Sequence, residues 1–121
     1  MRDRIEYLLW RRDLAGGEVT TMYAVRYPRR STRARVVYFP GPERLDVWCR
    51  RNGVEEAVVG GFYLRDPYRP LGELWIDGRA VGHEPVMAPY ATRRGCIVID
   101  DGDVRLVERD AAPARPLGDL V

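Results

Sequence analysis

The sequence predicts an α+β fold: a mixed, mainly antiparallel sheet with one packed helix. Three observations predict it. Segments rich in β-branched and aromatic residues recur from end to end, and two Asp-Gly pairs stand between such segments as hairpin turns. A single stretch carries helical apolar spacing with matching end signals.

Ile5 to Trp10 and Val19 to Tyr27 read as two strands, and Ala15-Gly16-Gly17 supplies the turn between them. Pro28 ends the second strand, and Arg33 to Phe39 reads as a third. Gly41-Pro42-Glu43 then opens the helix. Pro42 suits a first turn, while Glu43 and Asp46 complement the positive end of the helix dipole. Leu45, Trp48 and Cys49 fall at i, i+3 and i+4, Arg50 and Arg51 suit the last turn, and Asn52-Gly53 closes it.

Glu56 to Val59 reads as a short buried strand, so strand, helix and strand together imply a right-handed crossover into the sheet. Phe62 to Gly72, with two prolines, reads as a loop. Glu73–Ile76 with Arg79–Val81, and Cys96–Ile99 with Val104–Val107, read as two hairpins around Asp77-Gly78 and Asp101-Gly102. These elements make residues 1–109 one α+β domain. Residues 110–121, dominated by Ala, Pro, Gly and Arg, read as a tail or link that ends in the apolar Leu120-Val121.

Composition narrows the chemistry. With 121 residues, 45% hydrophobic and 31% charged, the chain has ordinary globular character and room for one core. No apolar run approaches the ~18 residues of a membrane span. Charges flank Leu8-Leu9-Trp10, so the N-terminus does not read as a signal peptide and a cytoplasmic location is expected. Every basic residue other than His83 is arginine, which excludes lysine-based Schiff-base or phosphate-loop chemistry. Ser31 is the lone serine and lacks a Gly-x-Ser-x-Gly elbow, which argues against a hydrolase triad. Cys49 and Cys96 lack metal-ligand spacing, so no metal is expected there, and the sequence specifies no cofactor.

Several groups remain as candidates, each with a plainer alternative. Gly60-Gly61-Phe62-Tyr63 offers close backbone approach, amide donors and a stacking face; the same residues suit a tight turn whose aromatics fill a core. Arg65 and Arg69 flank Tyr68 and could clamp a phosphate, or could lie on a solvated loop. Arg26, Arg29, Arg30, Arg33 and Arg35 invite a nucleic-acid reading, but a net charge of only +2 argues for a solvated connection instead. Asp100, Asp101 and Asp103 fit a hairpin turn better than a calcium loop, which would need a terminal Glu. His83 beside Glu84 could act as an acid–base pair or be an exposed loop histidine. Glu73 and Asp77 are two carboxylates near the glycine pair, the residue type glycoside hydrolysis requires.

The order of these features resembles the phosphodiester glycosidase family over about residues 44 to 121. In that family a strand ends Asn-Gly-Gly-Phe-Phe and is followed by Pro-x-Gly and a hairpin with Asp-Gly at its turn. Gly60, Gly61 and Phe62 match, Tyr63 replaces the second phenylalanine, Pro70 and Gly72 match, and Val59 stands in place of the asparagine. The resemblance implies hydrolysis of a sugar-1-phosphodiester, such as an N-acetylglucosamine-1-phosphate linkage, with this chain as the N-terminal, substrate-binding half. It implies that Gly60, Gly61 and Arg65 or Arg94 hold the phosphodiester oxygens and that Phe62 stacks on the sugar. Tyr63 and Gly72 complete the binding set. Glu73 and His83 are the local acid–base candidates, the family's acidic Asp-Gly-Gly-Gly motif being absent from these residues. A sugar- or phosphate-binding module without catalysis is the alternative, a nucleic-acid binder a further one, and association of copies stays open.

Overall fold

In the computed structural model, residues 4–121 are described; Met1–Asp3, part of the N-terminal stretch read above, lie outside them. The chain divides into two compact units, Met1–Arg33 and Ala34–Val121, rather than into a 1–109 domain with a tail.

The first unit is a hairpin of β1 (Glu6–Asp13) and β2 (Val19–Arg26), paired antiparallel from Glu6↔Arg26 to Asp13↔Val19. Gly16 and Gly17 both take positive φ, the backbone that tight hairpin turns demand, and Leu14 N–H donates to the Glu18 carbonyl at 2.7 Å. Tyr7, Leu9 and Tyr23 stay exposed.

The second unit carries helix α1 (Leu45–Asn52), which ends where the sequence placed it but starts later: Pro42 and Glu43 precede it and Arg44 is its N-cap. Gly53 closes it in the left-handed region at φ 65°, and Trp48 packs on Phe39 with ring centroids 5.4 Å apart. The sheet of this unit has five strands. They are β5 (Trp75–Ile76), β6 (Arg79–Ala80), β7 (Gly95–Asp100), β8 (Asp103–Glu108) and β9 (Asp119–Leu120), in the order β6-β5-β9-β7-β8. Every adjacent pair is antiparallel. A separate hairpin joins β3 (Tyr63–Arg65) to β4 (Tyr68–Pro70). A single turn, α2 (Tyr90–Arg93), precedes β7. The α+β class therefore holds, with an antiparallel sheet and one main helix; among the described residues parallel pairing is confined to one bridge, Leu71↔Glu84.

Four local expectations change. Glu56–Val59 forms no strand and Val58 and Val59 are exposed; β-branched composition alone does not supply a partner strand. The strand–helix–strand crossover is consequently absent. Arg33–Phe39 is extended but unladdered: Ala34 N–H reaches the Gly102 carbonyl at 3.0 Å, and Val36 N–H reaches the Asp119 carboxylate. Phe62–Gly72 is a hairpin rather than a loop.

Residues 110–121 carry the largest change. They hold a 3-10 turn (Arg109–Ala111 at its start) and β9, which lies between β5 and β7 at the centre of the sheet. Leu120 is fully buried with Val98 and Cys96, and Trp75, Val107 and Ala112 pack around them. Asp119 is buried too. Its two carboxylate oxygens accept the Val36 and Asp77 N–H groups, each at 2.8 Å. Gly78 N–H donates to the Gly118 carbonyl at 2.8 Å. A Cβ on Gly118 would stand 2.2 Å from the Ile99 carbonyl oxygen, so only glycine fits where β9 enters the sheet.

Candidate functional site

Gly95 begins β7 directly after Arg94, and Glu73 precedes β5, so the sheet brings these two charged residues to one place. A groove of about 360 Å³ opens there. Five expected site residues line it: Gly60, Gly61, Phe62, Glu73 and Arg94. Leu71, Cys96, Ile97, Leu106 and Val121 contribute its apolar surface.

Glu73 is fully engaged. Arg109 donates from Nε at 2.8 Å to one carboxylate oxygen and from a terminal nitrogen at 2.8 Å to the other, a bidentate fork. Trp75 Nε1 donates to the same carboxylate at 2.7 Å. The Glu73 and Arg109 side chains are only 22% and 13% exposed. Hydrogen bonding from Arg109 lowers the Glu73 pKa, reinforced by Trp75 and by the Arg109 and Arg94 charges, against an opposing effect of burial. An acid so held stays ionised near neutrality and has no proton to donate.

Arg94 stands differently. Its guanidinium approaches Glu73 at 3.7 Å, too long for a hydrogen bond, and the side chain is 22% exposed. Glu73 is the one carboxylate it meets among the described residues. Arg94 lines the groove, and its distance from Glu73 leaves that carboxylate outside hydrogen-bond range of its donors, which suits an incoming anion. Gly72 supports this placement from behind. It is buried at φ +89°, and a Cβ there would press on an Arg94 terminal nitrogen and on Val86, both at 3.3 Å.

Gly60 and Gly61 do not take positive φ; side chains there would meet Val121 at ordinary contact distances of 3.6 and 3.8 Å. Their contribution is bare backbone over Val121 at the groove wall. Phe62 is 80% exposed, with its ring face open. Cys96 is buried, and that burial raises its thiol pKa despite the nearby arginines, so it lines the groove as an apolar group and not as a thiolate.

Tyr63, Arg65 and His83 are not brought to the groove. Tyr63 stacks on Tyr68 at 4.9 Å and on Tyr38 at 6.4 Å, and burial pushes its phenol pKa up; it packs the β3–β4 hairpin. Arg65 pairs in register with Tyr68 at that hairpin's turn. His83 Nδ1 lies 3.0 Å from the Val81 carbonyl, and its neighbour Glu84 is ion-paired with Arg69. Arg26 of the basic run pairs with Glu6 at 3.0 Å. Among the described residues no group of three or more His, Cys, Asp or Glu side chains is arranged to hold a metal, and no helix is long and apolar enough to cross a membrane.

The sequence reading missed Arg109, Ile97, Leu106 and Val121. Only the apolar Leu120-Val121 ending hinted at a buried strand; nothing distinguished Arg109 from the other arginines. Compared with protein-family models, curated proteins and solved structures, the chain shows no match.

Proposed function

We propose that this groove holds a glycosyl-1-phosphodiester, and that the chain supplies the substrate-binding part of a hydrolase of the phosphodiester glycosidase type. One observation carries the reading: Gly60, Gly61, Phe62, Glu73 and Arg94, drawn from separate stretches of sequence, line a single groove. In this account Arg94 takes a phosphodiester oxygen, aided by amides of the Gly60-Gly61 backbone, and Phe62 covers a sugar face. Glu73 is a positioning residue: it anchors Arg109 and sits behind Arg94 as fixed negative charge. It is not the general acid.

Binding without hydrolysis is a second reading, favoured by the three donors that hold Glu73 ionised. Calorimetric titration with the methyl diester of N-acetylglucosamine 1-phosphate tests the site. Arg94→Gln is expected to weaken binding by roughly tenfold or more, the worth of one charge-assisted hydrogen bond. Unchanged affinity overturns the assignment. Release of N-acetylglucosamine from the bound diester would add hydrolysis by this chain to the binding that both readings expect.

A further inference from the structure

The hairpin of β1 and β2 is a sheet without a third strand. Among the described residues β1 pairs with β2 alone, and every residue of β1 is exposed. A two-stranded ribbon is marginal in water, and its open edge is a template for a further strand. We infer that β1 is the joining edge of a homodimer. It pairs antiparallel with β1 of a second copy of this chain, and the two hairpins form one four-stranded sheet.

The backbone restricts the register. Leu14 N–H donates to the Glu18 carbonyl, which makes Leu14 and Glu18 a hydrogen-bonded pair, and the ladder continues from there with Asp13↔Val19. Alternation in an antiparallel ladder then turns the amide and carbonyl groups of Arg12, Trp10, Leu8 and Glu6 towards β2. Those of Asp13, Arg11, Leu9 and Tyr7 turn outwards. Two copies related by a twofold axis therefore join only with odd-numbered residues opposite odd-numbered ones.

Charge selects one such register. With Leu9 on the axis, Glu6 of each copy stands opposite Arg12 of the other, Tyr7 opposite Arg11, and Leu8 opposite Trp10. Opposite-charge, cation–aromatic and apolar pairs all form together, each of them twice. Glu6 already meets Arg26 across the hairpin at 3.0 Å, so the row Arg26, Glu6, Arg12 alternates in sign across the joint. With Leu8 on the axis, Arg4 would face Arg12, like against like; with Trp10 there, Glu6 would face Leu14. β2 offers no such match, because Arg26 is the one charged residue within its length. The sequence of β1 is complementary to its own reverse, as a twofold interface requires. This inference does not depend on the groove.

Sedimentation velocity of the full chain over a concentration series tests the pairing. The wild type should show a concentration-dependent equilibrium between monomer and dimer; a monomer throughout overturns the inference. Leu9→Pro removes an outward N–H and no bond to β2, so it should abolish the dimer. Nuclear Overhauser contacts between the α-protons of Arg11 and Thr21, which face each other across the hairpin, should persist in that variant. Tyr23→Pro makes the same change on the outer edge of β2 and should leave the dimer intact; a dimer lost there overturns the choice of edge. Arg12→Glu should raise the dimer dissociation constant about tenfold, since two attractive pairs become repulsive. Reversing the whole row, with Glu6→Arg, Arg12→Glu and Arg26→Glu together, should recover the dimer. A dimer indifferent to Arg12→Glu, or not recovered by the reversal, overturns the inference. These charge variants decide the matter if Leu9→Pro loses the Arg11–Thr21 contact.

Discussion

Two carboxylates, both placed by the same sheet, show how differently its regions treat polar groups. Asp119, where β9 enters the sheet, answers two backbone amides and closes the Val36 segment onto the Asp77-Gly78 turn. Around it the polar groups are matched, and Gly118 leaves no room for a methyl group. In the groove, Glu73 is matched just as fully, but Arg94 beside it is not, and Phe62 and Leu106 lie open. The first region is finished by its own chain; the second is left with donors and apolar surface for something else. That contrast, more than charge or exposure alone, is what the proposed site rests on.

The comparison can be broken first at the clasp. Gly118→Ala should have the largest effect, a loss of about 3 kcal/mol or more in urea unfolding, since its Cβ overlaps the Ile99 carbonyl. A near-neutral result would mean that β9 does not sit against Ile99. Asp119→Ala should follow, at about 2–4 kcal/mol, because two backbone N–H groups lose their acceptors. Asp119→Asn keeps one acceptor oxygen and should lose about half as much.

At the groove the effects on stability are smaller. Glu73→Gln should cost about 1–2 kcal/mol near pH 7 and free Arg109 from its fork. Its pH dependence has a definite sign. The folded pKa is lowered, so between the folded and unfolded values the unfolded chain binds the extra proton. The contribution of Glu73 is full above the ordinary carboxyl value and disappears as pH falls through the folded one. The stability difference between wild type and Glu73→Gln should therefore shrink below about pH 4.3; a difference that grows on acidification would contradict the ion pair. Phe62→Ala should leave unfolding unchanged within about 0.5 kcal/mol, since the ring is exposed, yet weaken binding of the sugar diester.

Local chemistry made much of this fold legible. Asp77-Gly78 and Asp101-Gly102 do take positive φ at both residues, as their hairpins require. Gly53 closes α1 as its position suggested. Burial was another matter. The strongest strand patterns, Tyr7 to Trp10 and Val19 to Val25, form an exposed hairpin, whereas Leu120, in a stretch of Pro, Gly and Arg, is fully buried. A central strand of two residues carries no periodic signal; its position depends on pairing with Trp75 and Val98, far away in sequence. Glu56–Val59 shows the converse, since strand composition alone does not supply a partner strand. In the groove, glycine and aromatic chemistry picked out Gly60–Phe62, but the partner of Glu73 was one arginine among many. Arg65 and His83 carried suitable chemistry and stand elsewhere.

The most direct measurement is a map of backbone amide shifts during titration with the methyl diester of N-acetylglucosamine 1-phosphate. The account predicts movement at Gly60, Gly61, Phe62, Arg94 and Ile97, with Asp77, His83 and Asp119 unmoved. Shifts centred on Arg65 and His83, or on Arg26 to Arg35, with the groove silent, would contradict it.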